Sequence, residues 1–285
     1  MQIRFGWALA SAMLMGSIGS ASAADMAVKA PPPAVSLCNW CGFYIGGNAG
    51  GILSHSTAYY GGDAVPGGTL DAIARGQLPT SIAPHESGFI GGVQAGFNQQ
   101  RGAFVWGIEG DVQGTSLDRT VSFSTNLAPN FFPATTTLQE KMDFFATLRG
   151  RVGLTASPML LLYATGGLAV GDPRITSTVT TFPVPPGVIG VGTCAAAGFC
   201  GAATSSDDWR AGWTAGVGAE WKFSAKWSAK FEYLYYDLGN IGVRYVDNLG
   251  RFPGIFVTTN ERVTGSIARV GINYAFGGGP IVAKY

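Results

Sequence analysis

From Ala211 to Phe223 apolar and polar positions alternate without a break. Ala211, Trp213, Ala215, Val217, Ala219, Trp221 and Phe223 share one parity; Gly212, Thr214, Gly216, Gly218, Glu220 and Lys222 share the other. A period of two over this length predicts a strand with one apolar and one polar face. The next segment repeats the pattern, with Trp227, Ala229, Phe231, Tyr233 and Tyr235 set against Ser228, Lys230 and Glu232. Only Ser224-Ala225 lies between them, a connection suited to a tight hairpin.

The same test predicts eight strands, at residues 42–53, 88–99, 103–114, 139–156, 159–171, 208–223, 226–237 and 261–276. Their connections alternate in length. The first, third, fifth and seventh are long, about 20 to 36 residues and rich in Gly, Pro, Thr and Asn, whereas the second, fourth and sixth take two or three residues. Such a rhythm fits a transmembrane barrel with short periplasmic turns and long extracellular loops. An even strand count leaves both termini in the periplasm. Closure is required, because an open strand edge in lipid would leave backbone groups unsatisfied. The expected fold is therefore all-β: an eight-stranded antiparallel transmembrane barrel.

The N-terminus adds the compartment. Arg4, an apolar run from Trp7 to Ile18 and the small-residue sequence Ala21-Ser22-Ala23 make residues 1–23 a signal peptide. That run is too short for a spanning helix, which needs about 20 residues. Residues 24–41, with Pro31-Pro32-Pro33, read as a periplasmic lead-in, 42–276 as the barrel, and 277–285 as a periplasmic tail. The expected location is the outer membrane. Charged residues make up only 12% of the chain while glycine reaches 43 of 285, as expected when apolar residues are spread over one face of many strands. A net charge of +1 removes the basic excess that a nucleic-acid binder needs.

Trp106, Trp213, Trp221, Trp227, Tyr233, Tyr235 and Tyr274 fall on apolar parities, many near strand ends, where interfacial girdles need aromatics. With those parities facing lipid, Glu109, Asp111, Asp143, Glu220 and Glu232 point inward, as do Lys141, Arg149, Arg151, Lys222, Lys230 and Arg269. An eight-stranded barrel is just wide enough for side chains to fill it, so these residues predict a lumen plugged by ion pairs. Gly107, Gly150, Gly153, Gly216, Gly218 and Gly271 would make room for the long basic side chains.

Candidate chemistry is sparse. His55 and His85 share the first long loop without a Cys or acidic cluster at ligand spacing, and no serine nucleophile accompanies them in a strand. Gly46-Gly47-Asn48-Ala49-Gly50-Gly51 lacks the GK[ST] ending of a phosphate loop. No catalytic, metal or cofactor site is assigned. In an exported chain the four cysteines are expected to form disulfides. Cys194 and Cys200 would close a small loop. Cys38 and Cys41 have redox-motif spacing at a linker-to-strand junction without a βαβ context, and read as a local staple or as part of a mixed pairing.

Several segments resemble a known family. These are Ala24-Asp25-Met26-Ala27-Val28-Lys29, Trp40-Cys41-Gly42-Phe43-Tyr44-Ile45-Gly46-Gly47, Gly212-Trp213-Thr214-Ala215-Gly216-Val217-Gly218-Ala219-Glu220, Lys230-Phe231-Glu232-Tyr233-Leu234-Tyr235-Tyr236-Asp237 and Arg269-Val270-Gly271-Ile272-Asn273-Tyr274-Ala275-Phe276. They are similar to the small porin-family, OmpA-like and RopB-like β-barrel proteins of Gram-negative bacteria. The resemblance implies a non-enzymatic surface protein that supports envelope integrity and host contact. A narrow porin for small solutes is the alternative, and a barrel enzyme a distant third. Implied partners are outer-membrane lipid and lipopolysaccharide, the barrel-assembly machinery, and extracellular molecules met through the loops.

Overall fold

A computed structural model of the chain describes residues 38–84, 86–125, 133–181, 198–205 and 209–276. In chain order its elements are β1 (Gly42–Ser54), β2 (Thr57–Gly62), α1 (Thr69–Ala74), β3 (Ser81–Ile82), β4 (Glu86–Arg101), β5 (Phe104–Thr125), β6 (Ala134–Ser157), β7 (Leu160–Gly171), β8 (Arg174–Thr181), β9 (Cys200–Thr204), β10 (Arg210–Lys222), β11 (Trp227–Val246) and β12 (Phe256–Ala275). Eight of these strands pair antiparallel in the order β1-β4-β5-β6-β7-β10-β11-β12, and β12 pairs back onto β1 from Tyr44↔Ala275 to Ser54↔Gly265. The ring is closed, and every expected strand has its counterpart in it. None of the described helices is long and apolar enough to cross a membrane.

The outer face divides by height. Around the middle it carries Val93, Ile108, Val112, Leu148, Val152, Leu168, Val217, Phe231, Val270 and Ile272, all exposed. Aromatics bracket this belt. Phe43, Phe97, Trp106, Trp221, Trp227 and Tyr274 lie toward the periplasmic turns, where Phe43 and Phe97 pack 4.7 Å apart and Trp227 meets Tyr274 edge-on at 5.1 Å. Toward the other end Phe144 meets Trp209 at 5.0 Å and Trp213 meets Tyr235 at 5.5 Å. Beyond that upper girdle the outward positions become polar, as with Asp118, Thr120, Gln139, Lys141, Asn240, Arg244 and Arg262. The change marks the membrane boundary.

The structure corrects the expected loops. Two of the four are largely strand: β5 and β6 stay paired out to Thr125↔Ala134, and β11 and β12 out to Val246↔Phe256. The other two carry β2, α1 and β3, and β8 and β9. All four extra strands join the barrel's extension, β2 on β12 and β8 on β6. The short turns take two residues after Arg101 and after Ser157, and four after Lys222.

Above the boundary the apolar parity turns inward. In β6 the buried positions are Phe145, Thr147, Arg149 and Arg151 on one parity, then Ala134, Thr136, Leu138, Glu140 and Met142 on the other, so the phase slips by one residue between Met142 and Phe145. The β5–β6 register shifts between Gly114 and Leu117 at this height, and the Asp172 carboxylate accepts the Asp143 and Phe144 N–H groups at 2.9 and 2.7 Å. A second shift lies between Asp237 and Asn240 of β11. Gly239 there adopts φ +80°, and its N–H donates to Asp237 at 2.9 Å. Bulges of this kind re-aim side chains. Replacing Asp172 by alanine would strand two part-buried N–H groups and is expected to destabilise the barrel by about 1–3 kcal/mol, read as a lower urea midpoint in detergent micelles. An unchanged midpoint would mean that the bulge holds without the clamp.

Candidate functional site

The lumen is filled in three tiers. At the periplasmic mouth, a disulfide joins Cys38 and Cys41, whose Cα atoms are 5.5 Å apart. It closes a turn that tucks Trp40 under the barrel. Trp40 is buried with Val105, Leu161 and Tyr163. Its backbone N–H donates to Gln100 Oε1 at 3.0 Å, the Lys222 ammonium sits 5.1 Å from its ring centre, and Lys222 also donates to the Asn39 carbonyl. Of the two readings left open for Cys38 and Cys41, the structure has the local staple. Cys200 is disulfide-bonded as well; Cys194 lies outside the described residues.

The middle tier holds the ion pairs. Strand register sets them up: Glu109 stands opposite Arg149, Glu220 opposite Lys230, and Glu232 opposite Arg269. Arg149 reaches Glu109 at 2.6 Å, Asp111 at 2.8 Å and Glu232 at 3.4 Å. Arg269 joins Asp111 at 2.9 Å and Glu232 at 2.7 Å. Lys230 binds Glu109 at 2.8 Å and Glu232 at 3.2 Å, and Arg151 binds Glu220 at 2.7 Å. Four acids meet four bases, every side chain at most 4% exposed. Isolated charges could not sit so deeply buried; a balanced, hydrogen-bonded set can.

Tyrosines and amides complete the tier. Tyr44 Oη accepts from Arg151 at 2.9 Å and donates to Glu109 at 2.7 Å. Tyr163 Oη donates to Glu232 at 2.8 Å, while the Arg151 guanidinium stacks 4.0 Å from the Tyr163 ring centre. An amide chain runs from Asn48 to Gln94 at 2.8 Å, on to Asn273 at 2.6 Å and from there to Glu220 at 2.9 Å. Sequence reasoning passed over Tyr44, Tyr163, Asn48, Gln94 and Asn273, although all five stand on inward parities.

Three of the expected lumen charges lie elsewhere. Lys141 and Asp143 belong to the stretch of β6 beyond the phase slip; they are partly exposed and pair with each other at 3.3 Å on the outer surface, where Asp143 also meets Arg174. Lys222 serves the mouth, over Trp40. Among the glycines, Gly150 faces outward. The space at Gly218 is taken by the Tyr163 ring, which a Cβ there would overlap.

The upper tier is an apolar core. Ile52, Ile90, Leu117, Leu138, Met142, Phe145, Leu234, Val257 and Ile267 close the extracellular half, with Ala72 and Ile73 of α1 against them. Set into this core are Ser54, Ser56, Glu140 and Glu261, all buried. Burial, and after it the charge of Glu140, pushes the Glu261 carboxyl up to about 8. Burial likewise raises the Tyr245 hydroxyl to about 12. His55 is exposed in the linker before β2, and His85 lies outside the described residues.

A closed ring with an apolar belt, two aromatic girdles and a charged interior is the architecture of an outer-membrane barrel. The model of the outer membrane protein beta-barrel domain matches residues 12–276. The chain belongs to this family. It is an outer-membrane β-barrel protein. The 31 kDa outer-membrane immunogenic protein of Brucella melitensis biotype 1 is 35% identical over 265 residues, which cover 90% of this chain and 94% of the relative; that of Brucella suis biovar 1 matches equally. The 22 kDa outer membrane protein of Rhizobium leguminosarum bv. viciae is 31% identical over 138 residues, 48% of this chain and 47% of the relative. Among solved structures, the outer membrane protein OprG from Pseudomonas aeruginosa aligns over 83% of this chain and 97% of its own, at 9% identity and a TM-score of 0.44.

Proposed function

We propose that this family member is a closed barrel whose work is structural and whose contacts are made by the extracellular extension, with no catalytic role. The observation that carries this reading is the middle tier. Its eight charges pair with one another and bond to Tyr44, Tyr163 and the amide chain, so that they cross-link the strands through the axis instead of lining an open path. Trp40 fills the mouth below, and an apolar core fills the space above. The long β5–β6 and β11–β12 hairpins, polar on their outer faces, would meet lipopolysaccharide and molecules outside the cell. The Brucella relatives are described as immunogenic, which accords with a surface of this kind. Planar-bilayer recordings test the reading. The refolded mature chain is expected to give no stable stepwise conductance. Reproducible steps that disappear when the lumen is blocked would overturn it in favour of a narrow porin.

A further inference from the structure

Beyond the apolar core, the extracellular extension encloses a cavity of about 230 Å³. Among the described residues its apolar walls are Leu78 after α1, Val179 of β8, Phe199 before β9, Phe252 and Ile255 between β11 and β12, and Val257 of β12. Ala72 of α1 contributes only a methyl group, and exposed Gly67 brings the cavity to the surface. Protein interiors leave few voids larger than a water molecule, and an apolar cavity of roughly 150 Å³ already accepts benzene. This one is larger and lies outside the membrane belt. Two rings stand in its wall, Phe199 and Phe252, with centres 6.3 Å apart and planes inclined at 44°.

The polar groups of the lining are turned to the walls themselves. Thr69 Oγ1 donates to the Phe256 carbonyl at 2.8 Å. Thr181 Oγ1 accepts the Phe199 N–H at 2.7 Å and donates to the Phe199 carbonyl at 3.3 Å. The Gln77 carbonyl accepts the Thr125 hydroxyl at 3.0 Å. Beside Gly68, the Asp63 carboxylate accepts the N–H groups of Val65, Thr69 and Phe256 at 3.2, 3.4 and 3.0 Å. These bonds make a preformed frame of α1, the end of β8 and the start of β12. A charged guest would give up its hydration there without gaining a partner, and Asp63 would repel an anion. We propose that this cavity binds one small uncharged molecule with a single aromatic ring, taken up from the extracellular side. Such a guest needs no hydrogen bond, fits the volume, and can set its edge or face against Phe199 and Phe252 as aromatic pairs prefer. A preformed, mostly apolar concavity is the usual form of a small-molecule site. The site lies above the lumen charges, so it would bind whether or not the barrel conducts.

The test uses the mature chain refolded in lipid nanodiscs with labelled Ile, Leu and Val methyl groups, titrated with ethylbenzene and followed by NMR. Ethylbenzene also enters the bilayer, so the methyls of Val217 and Ile272 on the lipid face report partitioning. Methyls of Leu78, Val179 and Ile255 are expected to shift and saturate in the millimolar range or below, while those of Val217 and Ile272 shift only in proportion to the amount added. Phenylacetate and phenethylammonium, similar in size but charged, are expected to bind at least about ten-fold more weakly. Ala72→Phe places a ring in the cavity and is expected to abolish the saturable shift. Ile255→Trp narrows the cavity from the β11–β12 connection and carries the same expectation, should Ala72→Phe fail to fold. Wild-type cavity methyls that never saturate would overturn the proposal. Equal binding by the filled variants, or by the charged analogues, would also overturn it.

Discussion

Replacing Arg149 by methionine is expected to cost the barrel about 3–5 kcal/mol, the range for removing one partner from a buried ion pair. Arg149 is fully buried and reaches three carboxylates, Glu109, Asp111 and Glu232, while its Nε donates to Thr147 at 2.9 Å. Methionine fills similar volume, so the loss reads electrostatics more than a cavity. Four acids would then face three bases, and the deficit falls on Asp111, whose remaining base is Arg269. Adding Asp111→Asn restores the balance. The double variant is therefore expected to be less destabilised than the sum of the two single changes, with a coupling of about 1–3 kcal/mol. Urea titrations of the refolded barrel, followed by tryptophan fluorescence, would measure all three. Additive losses would mean that the network acts as independent contacts and not as one balanced set.

How the sequence announces this fold depends on height. Within the membrane the apolar parity faces lipid, so Trp213, Val217 and Trp221 declare one face of β10 and Glu220 the other. Above the boundary the same alternation continues with its meaning reversed. Leu117, Leu138 and Met142 turn inward to a core, while Asp118, Gln139 and Lys141 face water. A test for lipid-facing strands therefore stops near Gly114 and near Asp237, and hands two strand hairpins to the loops. The misassignment of Lys141 and Asp143 has the same origin. Their parity matches that of Arg149 and Arg151, but the bulge clamped by Asp172 lies between, and the clamping residue sits on the far side of another strand in the chain. Nothing local in β6 reports it. The eight charges below the slip were legible because no bulge separates them from the girdle residues that set their parity. The Glu140–Glu261 approach was not, since it depends on two distant strands extended beyond the membrane.

Trp40→Ala is expected to destabilise the barrel by a similar amount, about 3–5 kcal/mol, as for an aromatic removed from a core. The ring packs in one cluster with Val105, Leu161 and Tyr163 and lies under the Lys222 ammonium, so its loss opens a void in the mouth and leaves a half-buried cation without its aromatic partner. Removing the staple instead, as Cys38→Ser with Cys41→Ser, frees a loop of only a few residues. Loop-closure entropy assigns that about 2 kcal/mol. Gln100 and Lys222 still bind the turn through the Trp40 backbone N–H and the Asn39 carbonyl, so the indole should stay in place. The order of effects, tryptophan above disulfide, follows from treating the staple as a device that presents the ring. The reverse order in urea titrations would make the covalent link itself the stabilising element. Neither change removes a charge of the middle tier, whose Tyr163 shares the cluster of Trp40. Trp40→Ala is therefore expected to weaken the barrel without making it conduct. A stable current from that variant alone would identify Trp40 as the seal and the ion pairs above it as permeable.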